Sequence, residues 1–294
     1  MNGMEPRAKA MVDRYSPITI GGTGSLPLFC LPPVHGSPSI YRHLVPEIGS
    51  EVSLIGLSSI GVFLDVPALD SLEEQATSAV TRIIKFRELA SGKFGVLGYS
   101  MGGKLAYEVS LQLSALGLTP NKIIIIDSHF QGDDRFSVAG DHSQIEWVWD
   151  LFFTVYFGFD RRRVMSAGNF ATFLKAPLEE KFAVVRQFIS IYHPAGHLNN
   201  ISPVELDTLF RFHLSQCRSV GRYEPPQSHL PIVYLEASDS ENLGQARFWK
   251  EAAGRFTTYH VQGSHTSIFY DATHVKDLAR SLRDNISVFG EEAR

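Results

Sequence analysis

The pentapeptide Gly98-Tyr99-Ser100-Met101-Gly102 is the clearest sign of chemistry in this chain. An apolar segment leads into it and a helix-forming segment follows, so Ser100 falls on a strand-to-helix turn of the nucleophile-elbow kind. Such a turn strains the serine backbone and presents its hydroxyl at a strand's carboxyl end, beside the positive end of a helix. Gly98 and Gly102 are the small flanking residues that allow close approach of neighbouring segments. A serine hydroxyl is a weak nucleophile without a base in hydrogen-bond reach. Among 11 histidines, His265 stands in the small-residue loop Gln262-Gly-Ser-His265-Thr-Ser, directly after the last strand-like segment. A Ser, acid, His order along the chain places the base there. His260 lies inside a strand pattern and His274 at the head of the final helix, and both read as structural. His193, His197, His213 and His229 fall in a helical region or at its exit.

The acid that would orient the imidazole has two candidates at strand ends. Asp127 closes the run Ile123 to Ile126, and Asp239 follows the segment Pro231 to Leu235. Both can reach His265 over the top of a sheet, and spacing does not separate them. Asp239 lies in the polar stretch Ser238-Asp-Ser-Glu-Asn242, which reads as a solvent-facing turn. An aspartate at the tip of a wholly apolar strand is costly without a charged partner, and this favours Asp127. An oxyanion hole needs two backbone N–H donors. Met101, after the nucleophile, is the candidate for one. Val34 is the candidate for the other, being the first residue with an amide proton after Pro32-Pro33. His35 reads as a loop-packing residue.

These groups need a sheet to position them, and the sequence offers one. Strand-like segments at Leu26 to Leu31, Val52 to Leu57, Lys93 to Leu97 and Lys122 to Ile126 alternate with helical stretches. Ser71-Leu-Glu-Glu74 fits a capping box before a helix to about Ala90. A second helix runs from the elbow to Leu116 and stops at Gly117. The β-branched run before Asp127 suits the middle of a parallel sheet covered on both faces. The expected fold class is therefore α/β, a mostly parallel central sheet flanked by helices. The alternation breaks at about residues 133–228, which read as a helical insertion with helices at Ile145 to Phe157, Phe170 to Tyr192 and Pro203 to Cys217. Pro194, Gly196 and the pair at 199–200 interrupt it. Strands return at Ile232 to Leu235 and Phe256 to Val261, and a helix from Ala272 to Ile286 closes the chain. The expected organisation is a leader or interdomain linker at 1–18, core at 19–132, a helical lid at 133–228 and core again at 229–294. The insertion is rich in rings: Trp147, Trp149, Phe152, Phe153, Tyr156, Phe157 and Phe159. Packing on the sheet accounts for most of them, while Trp147, Phe153 and Phe157 are candidates to line a channel for an apolar acyl chain.

Composition removes several alternatives. The 294 residues are 44% hydrophobic and 20% charged, with 27 Lys and Arg against 31 Asp and Glu. A net charge of −4 leaves no general nucleic-acid footprint, and the run Arg161, Arg162, Arg163 reads as a solvated turn. Two cysteines cannot form a disulfide scaffold and suggest a reducing compartment. The N-terminal stretch lacks the apolar core of a signal peptide, and no run approaches the 18 apolar residues of a membrane span. A cytoplasmic protein is expected. No CxxC, HExxH or EF-hand pattern marks a metal site, and Gly21, Gly22 and Gly24 precede a strand rather than follow one, unlike a dinucleotide fingerprint.

The pieces PLFCLPPVHGSPSIYRHL, GYSMGG, IIIIDSH, RYEPPQSHLPIVYLEA and VQGSHTSIF together resemble the terminal thioesterase domains of nonribosomal peptide and polyketide synthases. The likeness runs from about residue 22 to 288 and implies the α/β-hydrolase fold. In that family the acid follows the strand after the nucleophile helix, and Asp127 stands 27 residues beyond Ser100, which raises it above Asp239. The resemblance also implies amides of Val34 and Met101 at the oxyanion, His265 as base, and the insertion as lid. By the same resemblance, an acyl chain on the phosphopantetheine arm of a carrier protein passes to the serine. Water, an internal amine or hydroxyl giving a macrocycle, or an external acceptor then releases it. No directly bound cofactor is implied, and the partner is an acyl or peptidyl carrier protein, with fusion to a larger synthase as one arrangement. The rival readings are a discrete editing thioesterase or carboxylester hydrolase of the same fold, and a non-catalytic binding relative.

Overall fold

A computed structural model describes residues 14–87, 92–130, 142–158, 165–192 and 200–287. Most of the leader, Phe159, Arg161, Arg162, Arg163, His193, Pro194, Gly196 and His197 lie outside the described residues. In chain order the strands are β1 (Ile18–Gly21), β2 (Leu26–Leu31), β3 (Val52–Gly56), β4 (Gly95–Tyr99), β5 (Lys122–Ile126), β6 (Pro231–Ala237) and β7 (Arg255–Val261). The α-helices are α1 (Leu72–Arg87), α2 (Met101–Ala115), α3 (His142–Phe157), α4 (Ala167–Lys175), α5 (Leu178–Tyr192), α6 (Pro203–Arg222), α7 (Ala246–Ala252), α8 (Ser267–Tyr270) and α9 (Ala272–Ser287). A 3-10 helix at Pro38–Leu44 follows β2.

The seven strands form one sheet in the order β1-β3-β2-β4-β5-β6-β7, with β1 antiparallel to β3 and the other neighbours parallel. Strand alternation divides the core between two faces. Ile124 and Ile126 of β5 pack with Leu97, Leu235 and the apolar side of α9, whereas Ile123 and Ile125 pack with Tyr107 and Trp249. Phe29, Leu31 and Val96 join α1, α2 and the aromatic helices α3 to α6 in the largest cluster. Parallel strands covered on both faces account for the unbroken apolar runs.

Local signals set the helix ends. Ser71 Oγ accepts the Glu74 N–H at 3.1 Å ahead of α1. A reciprocal capping box between Ser202 and Glu205, with Pro203 in the first turn, starts α6. The stretch read as one helix from Phe170 to Tyr192 is two, α4 and α5, because Pro177 cannot continue a helix interior. Strand β1 is an addition to the sequence reading, which begins the sheet at Leu26. Its four residues are exposed or half-buried and so carry little apolar pattern. The end of the leader is packed: buried Tyr15 donates its hydroxyl to Asp65 at 2.6 Å and accepts the Gly61 N–H at 3.0 Å.

Candidate active site

Ser100 sits between β4 and α2 with φ 56° and ψ −129°, a left-handed conformation that a side chain adopts only when the surroundings impose it. Its N–H donates to Ile126 O at 3.0 Å, stitching the turn to the end of β5. The flanking glycines are steric necessities. A Cβ on Gly98 would lie 1.8 Å from Gly102 O, and a Cβ on Gly102 would lie 2.6 Å from Leu31 O and 2.9 Å from Pro32 O. The elbow is thereby wedged against the end of β2 and the loop that carries Val34.

His265 Nε2 lies 3.1 Å from Ser100 Oγ, and His265 Nδ1 lies 2.6 Å from Asp127 Oδ2. A carboxylate only accepts, so Nδ1 carries the proton and the bare Nε2 faces the serine hydroxyl. His265 is thereby brought to two groups that lie 138 and 165 residues from it in sequence. Asp239, the rival, is exposed, and its N–H donates to Gly263 O at 2.9 Å.

Asp127 is fully buried and holds φ at 43°. Its Oδ1 accepts the Ala237 N–H at 3.2 Å, and its Oδ2 accepts the Ser240 hydroxyl at 2.6 Å. Asn242 Nδ2 donates to the Asp127 carbonyl at 3.0 Å and lies 3.4 Å from Oδ2. Tyr99 is stacked on the His265 ring, with centroids 4.8 Å apart, and donates its hydroxyl to His265 O at 2.6 Å. Burial and the nearby Asp127 charge push the Tyr99 phenol well above its usual range, so it stays a donor.

Val34, Ser100, Met101 and His265 line one pocket. Met101 opens α2, so its N–H has no carbonyl one turn earlier to bond. Trp147 and Leu151 of α3 and Val220 of α6 give this pocket apolar lining, and Ser128, Glu241 and Asn242 add polar lining. Of the three ring residues expected at a channel, Trp147 is at this pocket. Phe153 and Phe157 are instead almost fully buried in the aromatic helical core, Phe153 against Trp149 and Phe173 and Phe157 against Phe152. Four positions passed over by sequence reasoning adjoin the site: Tyr99, Lys104, Ser240 and Asn242. Lys104, one turn along α2 from the nucleophile, is 2% exposed and donates Nζ to Val220 O at 3.1 Å and Tyr223 O at 3.0 Å. It fastens the end of α6 to the nucleophile helix. A lysine within the otherwise uncharged stretch Met101 to Tyr107 was the available signal.

Among the described residues, His129 also lines the Ser100 pocket, and four further histidines make bonds outside the relay. His35 Nδ1 accepts the Ser37 N–H, and burial lowers its pKa to about 4. His213 is fully buried against Val148 O and its pKa falls to about 3. His260 meets Glu236, and His274 meets Ser267. Among the described residues, no group of three or more His, Cys, Asp or Glu is placed to hold a metal ion, and no helix is long and apolar enough to cross a membrane. A second cleft, about 440 Å³, is lined by Asp65, Pro67, Arg211 and Phe212, and holds none of the three reactive groups.

Residues 26–286 match the family profile described as thioesterase domain. The polyketide synthase PksR of Bacillus subtilis is 29% identical over 104 residues, 35% of this chain and 4% of that synthase. Tyrocidine synthase 3 of Brevibacillus parabrevis is 32% identical over 104 residues, 35% of this chain and 1% of that synthase. The chain thus spans a small fraction of the length of these relatives. A solved four-domain nonribosomal peptide synthetase aligns with a TM-score of 0.74 at 21% identity, over 95% of this chain and 22% of that one, and shares its fold.

Proposed function

The chain belongs to the thioesterase domain family, with its α/β-hydrolase fold, and from that premise we propose that it releases an acyl chain from the phosphopantetheine arm of a carrier protein through an ester on Ser100. The observation that carries this reading is the relay of Ser100 Oγ, His265 and Asp127, at 3.1 Å and 2.6 Å, on the carboxyl edge of the sheet.

In the first step His265 Nε2 takes the Ser100 proton as the oxygen attacks the thioester carbonyl. The N–H groups of Val34 and Met101 stabilise the oxyanion. As the tetrahedral species collapses, the C–S bond breaks and the imidazolium returns its proton to the leaving thiolate. Asp127 holds Nδ1–H throughout and stabilises the charged ring without itself taking a proton. In the second step His265 deprotonates water, or an amine or hydroxyl of the chain or of a second acceptor, which attacks the ester; the C–Oγ bond then breaks as the imidazolium returns the proton to Ser100 Oγ. The products are an acid, a macrocycle or a transfer product. Helices α3 to α6 act as a lid over the pocket, with Trp147, Leu151 and Val220 against the acyl chain, and water access there sets which acceptor wins. The carrier protein is the partner.

Intact-protein mass spectrometry after mixing with a panel of acyl thioesters tests the proposal. The expected result is a transient acyl adduct on the wild type, absent in Ser100→Ala, followed by release of acid or cyclic product. An adduct that persists in Ser100→Ala overturns the mechanism.

A further inference from the structure

The polar turn after β6 does a task that its sequence conceals. Ser240 and Asn242 are 8% and 4% exposed, and their side chains reach across 113 and 115 residues to Asp127. A hydroxyl has one proton to give and two lone pairs. Ser240 Oγ accepts the Asn242 N–H at 3.0 Å, so its proton is directed at Asp127 Oδ2. Asn242 Nδ2 lies 3.1 Å from His265 Nδ1, but both nitrogens carry protons when Asp127 is ionised. Its N–H groups therefore point to the Asp127 carbonyl and toward Oδ2, which also fixes which way the amide faces.

We infer that Ser240 and Asn242 are positioning residues that hold the Asp127 carboxylate, and through it His265, in the geometry Ser100 needs. The inference rests on the acyl-enzyme reading above. The last torsion of an aspartate side chain is soft and broad. Here the carboxylate is clamped from two sides, with Ala237 N–H on Oδ1 and the Ser240 hydroxyl on Oδ2, so it cannot swing away from Nδ1 without breaking both. The backbone of Asp127 is in the left-handed region, which costs energy and needs an external hold. Asn242 supplies that hold at the carbonyl, while Asp127 N–H donates to Leu235 O at 2.8 Å. A buried carboxylate depends on protein donors in place of water. Removing the Ser240 hydroxyl leaves Oδ2 with His265 at 2.6 Å and the longer Asn242 contact at 3.4 Å.

The test compares Ser240→Ala, Ser240→Thr and Asn242→Leu with the wild type. The first readout is the low-field proton NMR signal of His265 Nδ1–H, which needs no substrate. The second is the single-turnover acylation rate with a chromogenic acyl ester. The expected result is a shifted or broadened Nδ1–H signal in Ser240→Ala and Asn242→Leu. Acylation should slow on the order of 10-fold to 100-fold, the scale of a charge-assisted hydrogen bond, at little-changed KM. Ser240→Thr keeps the hydroxyl and should restore both readouts. An unmoved signal with acylation within twofold of wild type in both deletion variants overturns the inference, as does failure of Ser240→Thr to restore a signal lost in Ser240→Ala. A wild type that shows the Nδ1–H signal yet forms no ester on Ser100 sinks the acyl-enzyme reading, while the signal still judges the two positions.

Discussion

Gly102→Ala separates an effect on chemistry from an effect on stability. The added methyl would stand 2.6 Å from Leu31 O and 2.9 Å from Pro32 O, while ordinary contact begins at 3.4 Å. Something must therefore move by about 0.5–0.8 Å, and both offending atoms are backbone. Helix α2 is held by the strained Ser100 turn, whose N–H is tied to Ile126 O, so the Leu31–Pro32 segment yields at least part of the distance. That segment leads directly to Val34, and a displacement of this order at a reacting centre costs roughly 100-fold in rate. Losing one oxyanion donor outright costs about 10²–10³-fold. Steady-state hydrolysis of a short acyl thioester should show kcat reduced about 100-fold with KM within a few-fold. Gly117→Ala is the control: φ there is 75° but no atom lies within 4 Å of the new Cβ. It should lower stability by about 1 kcal/mol and leave kcat unchanged. A Gly102→Ala enzyme with kcat within threefold of wild type would refute the assignment of Val34, or the claim that its loop takes up the strain.

The two candidate acids give opposite outcomes: Asp127→Asn should cost about 10³–10⁴-fold in kcat and Asp239→Asn less than threefold, measured on the same thioester. A large loss in the second variant would reverse the assignment. Lys104→Met removes the donor to Val220 O and Tyr223 O, and leaving buried carbonyls unpaired should destabilise the protein by about 2 kcal/mol, a drop in Tm of about 4–8 °C by calorimetry. A Tm within 1 °C of wild type would show that the lid end is fastened by other contacts. His213 is held neutral, its pKa lowered from 6.5 to about 3, so the unfolded chain binds a proton that the folded one refuses as pH falls below 6.5. Stability from this group is full above pH 6.5 and is lost on acidification toward pH 3, by up to about 1.4 kcal/mol per pH unit. Urea denaturation at pH 7, 5.5 and 4.5 should show that decline in the wild type and a shallower one in His213→Leu, and equal slopes would refute it.

What the sequence discloses and what it hides divide along a physical line. The elbow was legible because Gly98, Ser100 and Gly102 act over five consecutive residues, and their sizes are dictated by backbone a few ångströms away. Strands β2 and β5 were legible to the residue because full burial on two faces demands continuous apolar side chains. Strand β1 escaped, since an edge strand half in solvent needs no such pattern. Aromatic content announced a packed helical region, but the helix period does not tell which rings meet the pocket. Trp147 and Phe153 differ by six residues, and the helices α4 to α6 packed against them decide that one lines the site and the other is walled in. The turn after β6 is the sharpest case. Ser238 to Asn242 has the composition of a solvated loop, and its Asp239 does face solvent. Ser240 and Asn242, one residue either side of Glu241, turn inward because parallel register sets the end of β6 beside the end of β5, opposite Asp127. Polar residues at the carboxyl edge of a strand adjacent to the acid-bearing strand thus have two fates, water or the buried carboxylate, and only strand order distinguishes them. That order places β6 between the acid strand and β7, the strand leading to His265, so the loop between β6 and α7 is flanked by both partners of the relay.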